Sequence, residues 1–419
     1  MPSTAHDSVR RLVARSVERR KLLICAAVAV ALSGCSSTPT SRTGASAPAP
    51  SPIGSPTVAA PSVPANQQTA TAAARRPGTF ETSTPPLVDR AGCPYGQVLL
   101  KTGKVLLVGG CPTADSPNPS VIRSAELYDP ETGAFSMTGS MRVGRDAPTA
   151  TLLADGRVLV AGGQDKNGHY LNSAEIYDPA TGSFVKTGSP LGKGLDNAVL
   201  LQNGKVLFDD GGGSARAQLF DPATGKFKWT GSLHTIADYC YATRLADGRV
   251  LFTGFVIPGD DLVDTPLTDA ETYDPATGLF AMTGSLGSAR VDPTITLLKG
   301  GRVLVAGGLD ASESEIATAE LYDPATGKFS STGSMLSGQD EAAGVLLKDG
   351  TVLVVDGETG NDAVTDAQRY DPETGAFSAD AHGPFTTPGY EATLLPGGTV
   401  LFTGSYELSG VGDAMIYRP

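Results

Sequence analysis

Residues 301–335 read GRVLVAGGLDASESEIATAELYDPATGKFSSTGSM, and variants of this stretch recur along the chain. The stretch holds three apolar runs of strand length, GRVLVAGG, AELYD and GKFSSTG, and a fourth run, TITLL, comes shortly before it. Each run is too short for a helix, and turn-forming Gly, Asp and Pro stand between the runs. One such unit therefore predicts four short β-strands.

The unit occurs seven times with a period of about 50 residues. Its GxVL phrase begins at Gly103, Gly156, Gly204, Gly248, Gly301, Gly350 and Gly398. The Asp-Pro turn between the third and fourth predicted strands recurs at Asp129, Asp178, Asp221, Asp274, Asp323 and Asp371. Four strands in a repeat of this length are typical of a β-propeller blade. We therefore predict an all-β fold, in agreement with the 51 Gly and 30 Pro of the chain.

The order of features within the unit resembles the kelch repeat. An apolar strand is followed by Gly-Gly, then by a Tyr and, seven residues later, by a second aromatic, as at Tyr128 and Phe135. This chain has Phe at the second aromatic, where the family often has Trp. The resemblance covers residues 78–419 and implies a seven-bladed propeller of four-stranded blades.

The two chain ends predict how the ring closes. The last unit stops at DAMIYRP, which matches SAELYDP but lacks a fourth strand. The chain from residue 77 reads PGTFETSTPPLVDRAG and matches ETGAFSMTGSMRVGRDA, the fourth strand and following loop of another unit. We therefore predict that an N-terminal strand near residues 78–83 completes the seventh blade and leaves no open sheet edge.

Residues 1–34 predict a lipoprotein signal peptide. A basic segment leads into the apolar run LLICAAVAVAL, and the following LSGC resembles a bacterial lipobox, which implies lipidation of Cys35. The alternative is a plain signal peptide with a chance cysteine. Residues 35–77 are rich in Pro, Ser and Ala and predict a disordered tether. We expect an exported protein on the extracytoplasmic side that meets the membrane only through its lipid anchor.

The charge of the predicted propeller excludes some partners. The chain has a formal net charge of −12, to which residues 1–34 contribute +4 and the tether +3, so that residues 78–419 carry −19. An acidic body of this kind repels nucleic acid and anionic lipid head groups. The expected partners at the cell envelope are therefore a protein or a glycan.

Carboxylates recur just before the first strand of six units, where propeller loops open around the central channel. They are Asp146, Asp196, Asp238, Asp292, Asp340 and Glu391, in a register that shifts from unit to unit. Two interpretations stay open. The carboxylates bind a cation such as Ca²⁺ or the polar groups of a saccharide, or each Asp only caps a turn at the strand start. No other cofactor is expected.

Histidine and cysteine supply few further candidates. His169, His234 and His382 fall in predicted loops on one face, but no pair has metal-ligand spacing, so they are weak metal candidates. Cys93 and Cys111 lie symmetrically about a predicted hairpin turn, and an exported protein would oxidise such a pair to a disulfide. Cys240 is left unpaired.

The chain also resembles the propeller of galactose oxidase and glyoxal oxidase, which implies a copper site at the loop face. Cys93-Pro94 looks like the cysteine that becomes cross-linked to tyrosine in that family, but Asp146-Ala147 stands where the partner tyrosine is expected. The expected Tyr-His pair is at best Tyr390-Glu391. We therefore expect a binding module rather than an enzyme. A carbohydrate-active oxidase, lyase or hydrolase with its site at the channel mouth, and a structural scaffold, are the alternatives.

Overall fold

The structure is a computed structural model of the chain. It describes residues 76–90, 94–112, 120–192, 194–211, 213–236, 239–258, 264–355, 358–359, 362–363, 366–383, 390–404 and 413–419. The predicted signal peptide, Cys35, Cys93 and Asp238 lie outside these residues. In the part of the chain that is described, no helical segment has the length and apolar character that a membrane crossing requires.

The described residues form 31 strands. In chain order they are β1 (Thr79–Thr82), β2 (Gly96–Leu99), β3 (Val105–Val108), β4 (Ser124–Asp129), β5 (Ala134–Ser140), β6 (Thr149–Leu152), β7 (Val158–Ala161), β8 (Ala174–Asp178), β9 (Ser183–Lys186), β10 (Ala198–Leu200), β11 (Val206–Asp209), β12 (Arg216–Asp221), β13 (Lys226–Ser232), β14 (Tyr239–Arg244), β15 (Val250–Pro258), β16 (Asp264–Pro266), β17 (Ala270–Asp274), β18 (Leu279–Met282), β19 (Thr294–Leu297), β20 (Val303–Ala306), β21 (Ala319–Asp323), β22 (Lys328–Ser331), β23 (Ala343–Leu346), β24 (Val352–Val355), β25 (Glu358–Thr359), β26 (Asp362–Ala363), β27 (Asp366–Asp371), β28 (Ala376–His382), β29 (Tyr390–Leu394), β30 (Val400–Gly404) and β31 (Asp413–Arg418).

These strands build seven antiparallel blades. Blades 1 to 3 are β2–β5, β6–β9 and β10–β13, and blade 5 is β19–β22. Blade 4 consists of β14, β15, β17 and β18 with β16 paired to β15, and blade 6 of β23, β24, β27 and β28. Blade 7 has the order β1-β31-β30-β29. The predicted fold, an all-β propeller of seven four-stranded blades, is confirmed.

The first strand of each blade forms the inner ring. Each of these strands contacts the inner strands of both neighbouring blades, and β29 contacts β2, so the ring is continuous. The hydrophobic core is divided into layers between adjacent blades. One layer packs Leu106 of blade 1 against Val158 and Tyr177 of blade 2, all fully buried. Each blade therefore buries its apolar face only by contact with its neighbours.

The N-terminal strand closes the ring as predicted. Strand β1 pairs antiparallel with β31 from Thr79 opposite Arg418 to Thr82 opposite Met415. The Phe80 ring lies 5.0 Å from that of Tyr417, and the Gly78 N–H donates to Asp380 Oδ1 of blade 6 at 2.6 Å. Blade 7 is thus completed from both ends of the chain.

The recurring phrase of residues 320–335 joins blades to one another. Asp323 Oδ1 accepts the Ala325 N–H at 2.9 Å, which forms the turn that the Asp-Pro pair predicts. The Tyr322 hydroxyl lies 2.9 Å from Thr283 Oγ1 of the preceding blade. The Gly284 N–H of that blade donates to the Gly327 carbonyl at 2.8 Å, an approach that leaves no room for a Cβ on Gly284. The phrase is structural.

A candidate binding face at the channel mouth

Each described loop that leads from one blade into the next donates backbone N–H groups to a buried Glu or Gln side chain. That side chain belongs to the third strand of the blade that the loop enters. In blade 2, Glu175 accepts the N–H groups of Arg142 at 2.9 Å and Val143 at 3.3 Å. The same loop contact is made by Glu126, Gln218, Glu271, Glu320 and Gln368. Backbone donors fixed in this way hold each loop in one conformation, so the face is preorganised.

Buried arginines neutralise three of these acids. Arg145, fully buried, donates to the carbonyl oxygens of Gly162 and Ser173 at 2.9 Å and pairs with Glu175 at 3.3 Å. Arg290 and Glu320 make the same pair in blade 5 at 3.0 Å, and Arg90 pairs with Glu126 in blade 1. Burial lowers the pKa of the Arg145 guanidinium, and the charge of Glu175 opposes that effect.

Sequence reasoning missed these arginines. The signal that could have found them is the spacing of 30 residues from Arg145 to Glu175, which recurs from Arg290 to Glu320. The arginine contacts hold the loops from inside the propeller. Because these side chains are buried, other side chains form the exposed surface of the face.

The five described candidate carboxylates lie in or just before the inner strands, but strand pairing separates them into different positions. Positions are counted from the inner-strand residue that pairs with the fourth residue of the second strand, such as Thr149 opposite Ala161. Glu391 occupies this position opposite Thr403. The others precede it by one residue at Asp196, by two at Asp292, and by three at Asp146 and Asp340. The described carboxylates are therefore not equivalent copies of one position, and their binding role stays a prediction.

The Asp146 side chain is half-buried and makes fewer hydrogen bonds than its two carboxylate oxygens could accept. The backbone of this residue pairs with that of Gln164 through hydrogen bonds of 3.0 and 2.8 Å, which fixes the loop against the end of the second strand. Its Oδ1 atom is buried without a hydrogen-bond partner among the described residues. Desolvation raises the pKa of Asp146 from the usual 3.8 to about 6, and the Ala147 N–H opposes this only in part. The ionised side chain is held at a cost in stability.

Replacing this carboxyl should therefore stabilise the protein at neutral pH. A folded-state pKa above the unfolded one means that stability falls as pH rises from about 4 through about 6. We expect Asp146→Asn to be more stable than the natural protein by about 1 to 3 kcal/mol at pH 7.5, with the difference vanishing near pH 4. Urea unfolding across this pH range is the measurement.

A control variant at Asp310 should change the stability in the opposite direction to the Asp146 variant. Hydrogen bonds from the Ser312 hydroxyl and from neighbouring N–H groups lower the pKa of Asp310. Asp310→Asn should therefore be destabilising above about pH 4. A pH-independent effect of Asp146→Asn would show that its carboxyl is not desolvated in the folded protein.

Glu391 lies at the junction of blades 7 and 1. It belongs to the inner strand β29 and has an exposed side chain, yet desolvation by the surrounding ring raises its pKa. Nearby, the buried Tyr95 hydroxyl donates to Thr403 Oγ1 at 2.7 Å, and Thr403 in turn donates to Gln97. Burial raises the pKa of Tyr95, and the charge of Glu391 adds to that effect. A solvent-accessible carboxyl thus stands beside a neutral polar network.

Two further carboxylates make close contacts, Asp292 with the neighbouring blade and Asp196 within its own blade 3. The Tyr241 hydroxyl of blade 4 donates to Asp292 Oδ1 of blade 5 at 2.5 Å. Asp196 packs against Gly211, where an added Cβ would collide with its carboxylate. For Asp292, at φ 49°, the hydrogen bond supports a structural role in addition to any ligand contact.

A buried cluster lies directly beneath this part of the mouth. Asp209 accepts the Asn197 side-chain N–H at 3.1 Å and lies 3.6 Å from the Cys240 thiol, while Asn197 also donates to the Cys240 carbonyl at 2.9 Å. Burial raises the pKa of both Asp209 and Cys240. Cys240 is free, as expected, and the cluster joins blade 3 to blade 4. Because Cys93 is outside the described residues, its pairing with Cys111 stays a prediction.

The three histidines do not converge. The Nδ1 atom of His234 lies 2.9 Å from Glu271, that of His382 lies 2.7 Å from Asp366, and His169 lies near Asp165. Each imidazole is more than half exposed and is held by a carboxylate in its own part of the ring. Among the described residues, no group of three or more His, Cys, Asp or Glu side chains could hold a metal ion.

Comparison with known proteins supports the repeat and the fold. The Kelch motif matches residues 147–190, which span blade 2 and the turn that follows it. The structure of a fungal alcohol oxidase of the AA5 family, solved in complex with copper, is similar with a TM-score of 0.64 and 16% identity, over 82% of this chain and 76% of that one. The protein YjhT is similar with a TM-score of 0.52 and 15% identity, over 71% of this chain and 99% of that one. A search of curated protein sequences found no match.

These findings confirm the predicted resemblance to kelch repeats and to the oxidase-type propeller. They do not extend to copper, because the described residues do not bring together the donors for it. A copper site needs nitrogen ligands brought together, and His169, His234 and His382 lie on separate parts of the ring. Of the three, His234 lies in the loop that enters blade 4, and its imidazole is held by Glu271 with no second histidine beside it among the described residues. The fold is shared with the oxidase, while the donor set does not fit its metal.

Proposed function

We propose that this protein is a binding module of the cell envelope that recognises a protein or a glycan through the face at its channel mouth. The observation that carries the proposal is the construction of the interblade loops. Six of them are fixed through backbone N–H groups to Glu or Gln side chains of the third strands. A rigid frame that presents different side chains from blade to blade is typical of a recognition surface.

The exposed side chains of this face support the same function. Leu87, Leu191 and Leu336 occupy the same loop position in blades 1, 3 and 6 and are 57%, 46% and 60% exposed. Each donates its backbone N–H to the third-strand side chain beneath it. Exposed apolar groups held in a fixed conformation cost little entropy when a partner covers them.

Location at the envelope belongs to the proposal as well. The signal peptide and the lipid on Cys35 would tether the propeller through the segment of residues 35–77 and present it to extracytoplasmic partners. Ca²⁺ would bind this surface only together with oxygen atoms of the partner, because no three acidic side chains of the described residues form a metal site by themselves.

The test is site-specific photo-crosslinking in living cells. A benzophenone amino acid at Leu336, on the loop face, should give a discrete covalent adduct in the membrane fraction, and Cys35→Ser should release the propeller from that fraction. The same substitution at Leu279, 62% exposed on an outer strand, is the control. A glycan array of the full chain, with and without Ca²⁺, covers carbohydrate ligands.

Equal crosslinking at Leu336 and Leu279, together with an array on which nothing binds, would contradict a recognition role for this face. An adduct or a glycan signal that depends on Leu336 would support it. If the Cys35→Ser variant stays in the membrane fraction, the proposed lipid anchor is refuted, while the proposed binding role of the face is unaffected.

A further inference from the structure

We infer that the partner of this face is a cationic polypeptide segment with apolar anchor residues. The inference rests on the proposed function and specifies the chemistry of its ligand. It follows from an apolar arc, defined as Leu87, Val143, Leu191 and Ile236, and from the carboxylates that accompany it.

The apolar arc spans four consecutive blades. Its members lie in the loops that enter blades 1, 2, 3 and 4, and they are 57%, 37%, 46% and 60% exposed. They account for four of the nine large exposed apolar side chains among the described residues. The equivalent loop of blade 5 carries Gly287 and Ser288 instead, so the arc has a defined end on that side. An arc across several blades fits an extended ligand better than a compact one.

The arc is held in place from within the propeller. The Leu87 N–H donates to Glu126 Oε2 at 2.5 Å, the Val143 N–H to Glu175 Oε1 at 3.3 Å, and the Leu191 N–H to Gln218 Oε1 at 2.9 Å. Next to Ile236, the Thr235 N–H donates to Glu271 at 2.7 Å. Because the backbone of each anchor point is already ordered, a ligand would not have to order it.

Charge selects among the ligands that could cover such an arc. By sequence these loops carry four carboxylates, Asp89, Asp146, Asp196 and Asp238, against two uncompensated cations, Arg142 and Lys193. Their other two arginines, Arg90 and Arg145, are buried and neutralised by Glu126 and Glu175. The predicted propeller as a whole has a formal charge of −19. Complementarity therefore favours Lys and Arg side chains on the partner and disfavours acidic peptides and anionic glycans.

The kind of apolar side chain argues against a sugar. None of the nine large exposed apolar side chains of the described residues is aromatic, and Tyr170 and Tyr241 of the loop face are only partly exposed. Aliphatic side chains offer no flat ring face for a pyranose to stack on, whereas they pack well against the apolar side chains of a peptide. A polypeptide that alternates basic and apolar residues matches both features of the face.

The experiment is a selection of random peptides on the full chain. A displayed library of randomised 12-residue peptides should yield sequences enriched in Lys and Arg together with Leu, Ile or Phe. The best of these peptides, made synthetically, should bind the full chain with an affinity that falls steeply as salt is raised. Enrichment of acidic sequences, or no enrichment, would overturn the inference.

Paired variants locate the binding site. Leu87→Ser with Leu191→Ser should weaken binding of the selected peptide at least tenfold, because both anchors lose their apolar contact. Leu279→Ser with Met282→Ser is the matched control, since those side chains are 62% and 48% exposed on β18. The control should bind like the natural protein, and equal melting temperatures of both variants would show that folding is unchanged.

The role of the loop carboxylates is tested with a second set of paired variants. Asp89→Asn with Asp196→Asn should weaken binding and make it less sensitive to salt, whereas Glu131→Gln with Glu373→Gln, at exposed outer turns, should do neither. Equal losses in the loop-face and outer variants would refute docking at the arc. A glycan that binds in place of any peptide and is lost in the Leu variants would refute this inference while leaving the proposed function standing.

Discussion

Deleting residues 78–84 is expected to lower the melting temperature by about 10 to 20 °C, the larger of the two strongest effects that the structure predicts. The deletion removes β1, the only strand that completes blade 7 from the other end of the chain. It removes all backbone pairing of β1 with β31 and the ring contacts of Phe80 with Phe402 and Tyr417. It also removes the hydrogen bond from Gly78 to Asp380. A loss of about 5 kcal/mol corresponds to a shift of this size in a domain of a few hundred residues.

The deletion also leaves the backbone groups of β31 as an open sheet edge, so the truncated protein should aggregate on heating. Differential scanning calorimetry with light scattering measures both effects. Removing seven residues of the predicted tether, 60–66, is the length control and should leave the melt unchanged. An unchanged melt after deletion of residues 78–84 would show that the N-terminal strand does not close the ring.

A substitution tests the same contact without shortening the chain. A Cβ added at Gly78 would collide with the ring of Tyr417, whereas one added at Gly300 meets nothing within 4 Å. Gly78→Ala should therefore lower the melting temperature by several degrees and Gly300→Ala should not, with about 1 kcal/mol shifting it by roughly 2 to 4 °C.

Arg145→Gln is expected to destabilise the protein by about 3 to 5 kcal/mol, the second large effect. The guanidinium is fully buried, and its loss leaves Glu175 as a buried carboxylate without its cation. The carbonyl oxygens of Gly162 and Ser173 lose their donor at the same time. Urea unfolding at pH 7 measures the change in the free energy of unfolding.

The chain itself provides the control for this prediction. Blade 6 has the buried Gln339 where blade 2 has Arg145, and Gln368 where blade 2 has Glu175, so an uncharged pair is compatible with the same architecture. The double variant Arg145→Gln with Glu175→Gln should recover at least about 2 kcal/mol of the loss, since no unpaired charge stays buried. If the two substitutions are additive, charge pairing does not explain the role of Arg145.

Much of the fold could be predicted because its rules are local and repeated. The Asp-Pro and Gly signals seen at Asp323 and Gly327 set the outer turn in six blades, and the GxVL phrase recurs in all seven, so seven copies could be counted along the chain. The unmatched strand near Phe80 and the unfinished unit at Tyr417 then predicted the closure, and both lie where expected. Sequence also predicted carboxylates at the start of the inner strands: Asp146, Asp196, Asp292 and Asp340 precede such a strand, and Glu391 lies within β29.

The burial and the partners of the candidate site residues could not be predicted from sequence, because the side chains they contact lie far away along the chain. Asp146 and Asp292 look alike in sequence, but the first has a desolvated carboxyl with a raised pKa and the second accepts a hydrogen bond from Tyr241 of another blade. The pairing of Arg145 with Glu175 appears only when the loop folds over the third strand.

The sequence by itself therefore determined the number of blades, their turns and the closing strand, because short-range backbone preferences and a counted repeat suffice for these. Only the tertiary structure decided which side chains are buried together, which carboxylates are costly to ionise and which leucines stay exposed on the loop face. Those properties arise from the exclusion of water and from contacts between blades, which no single repeat contains.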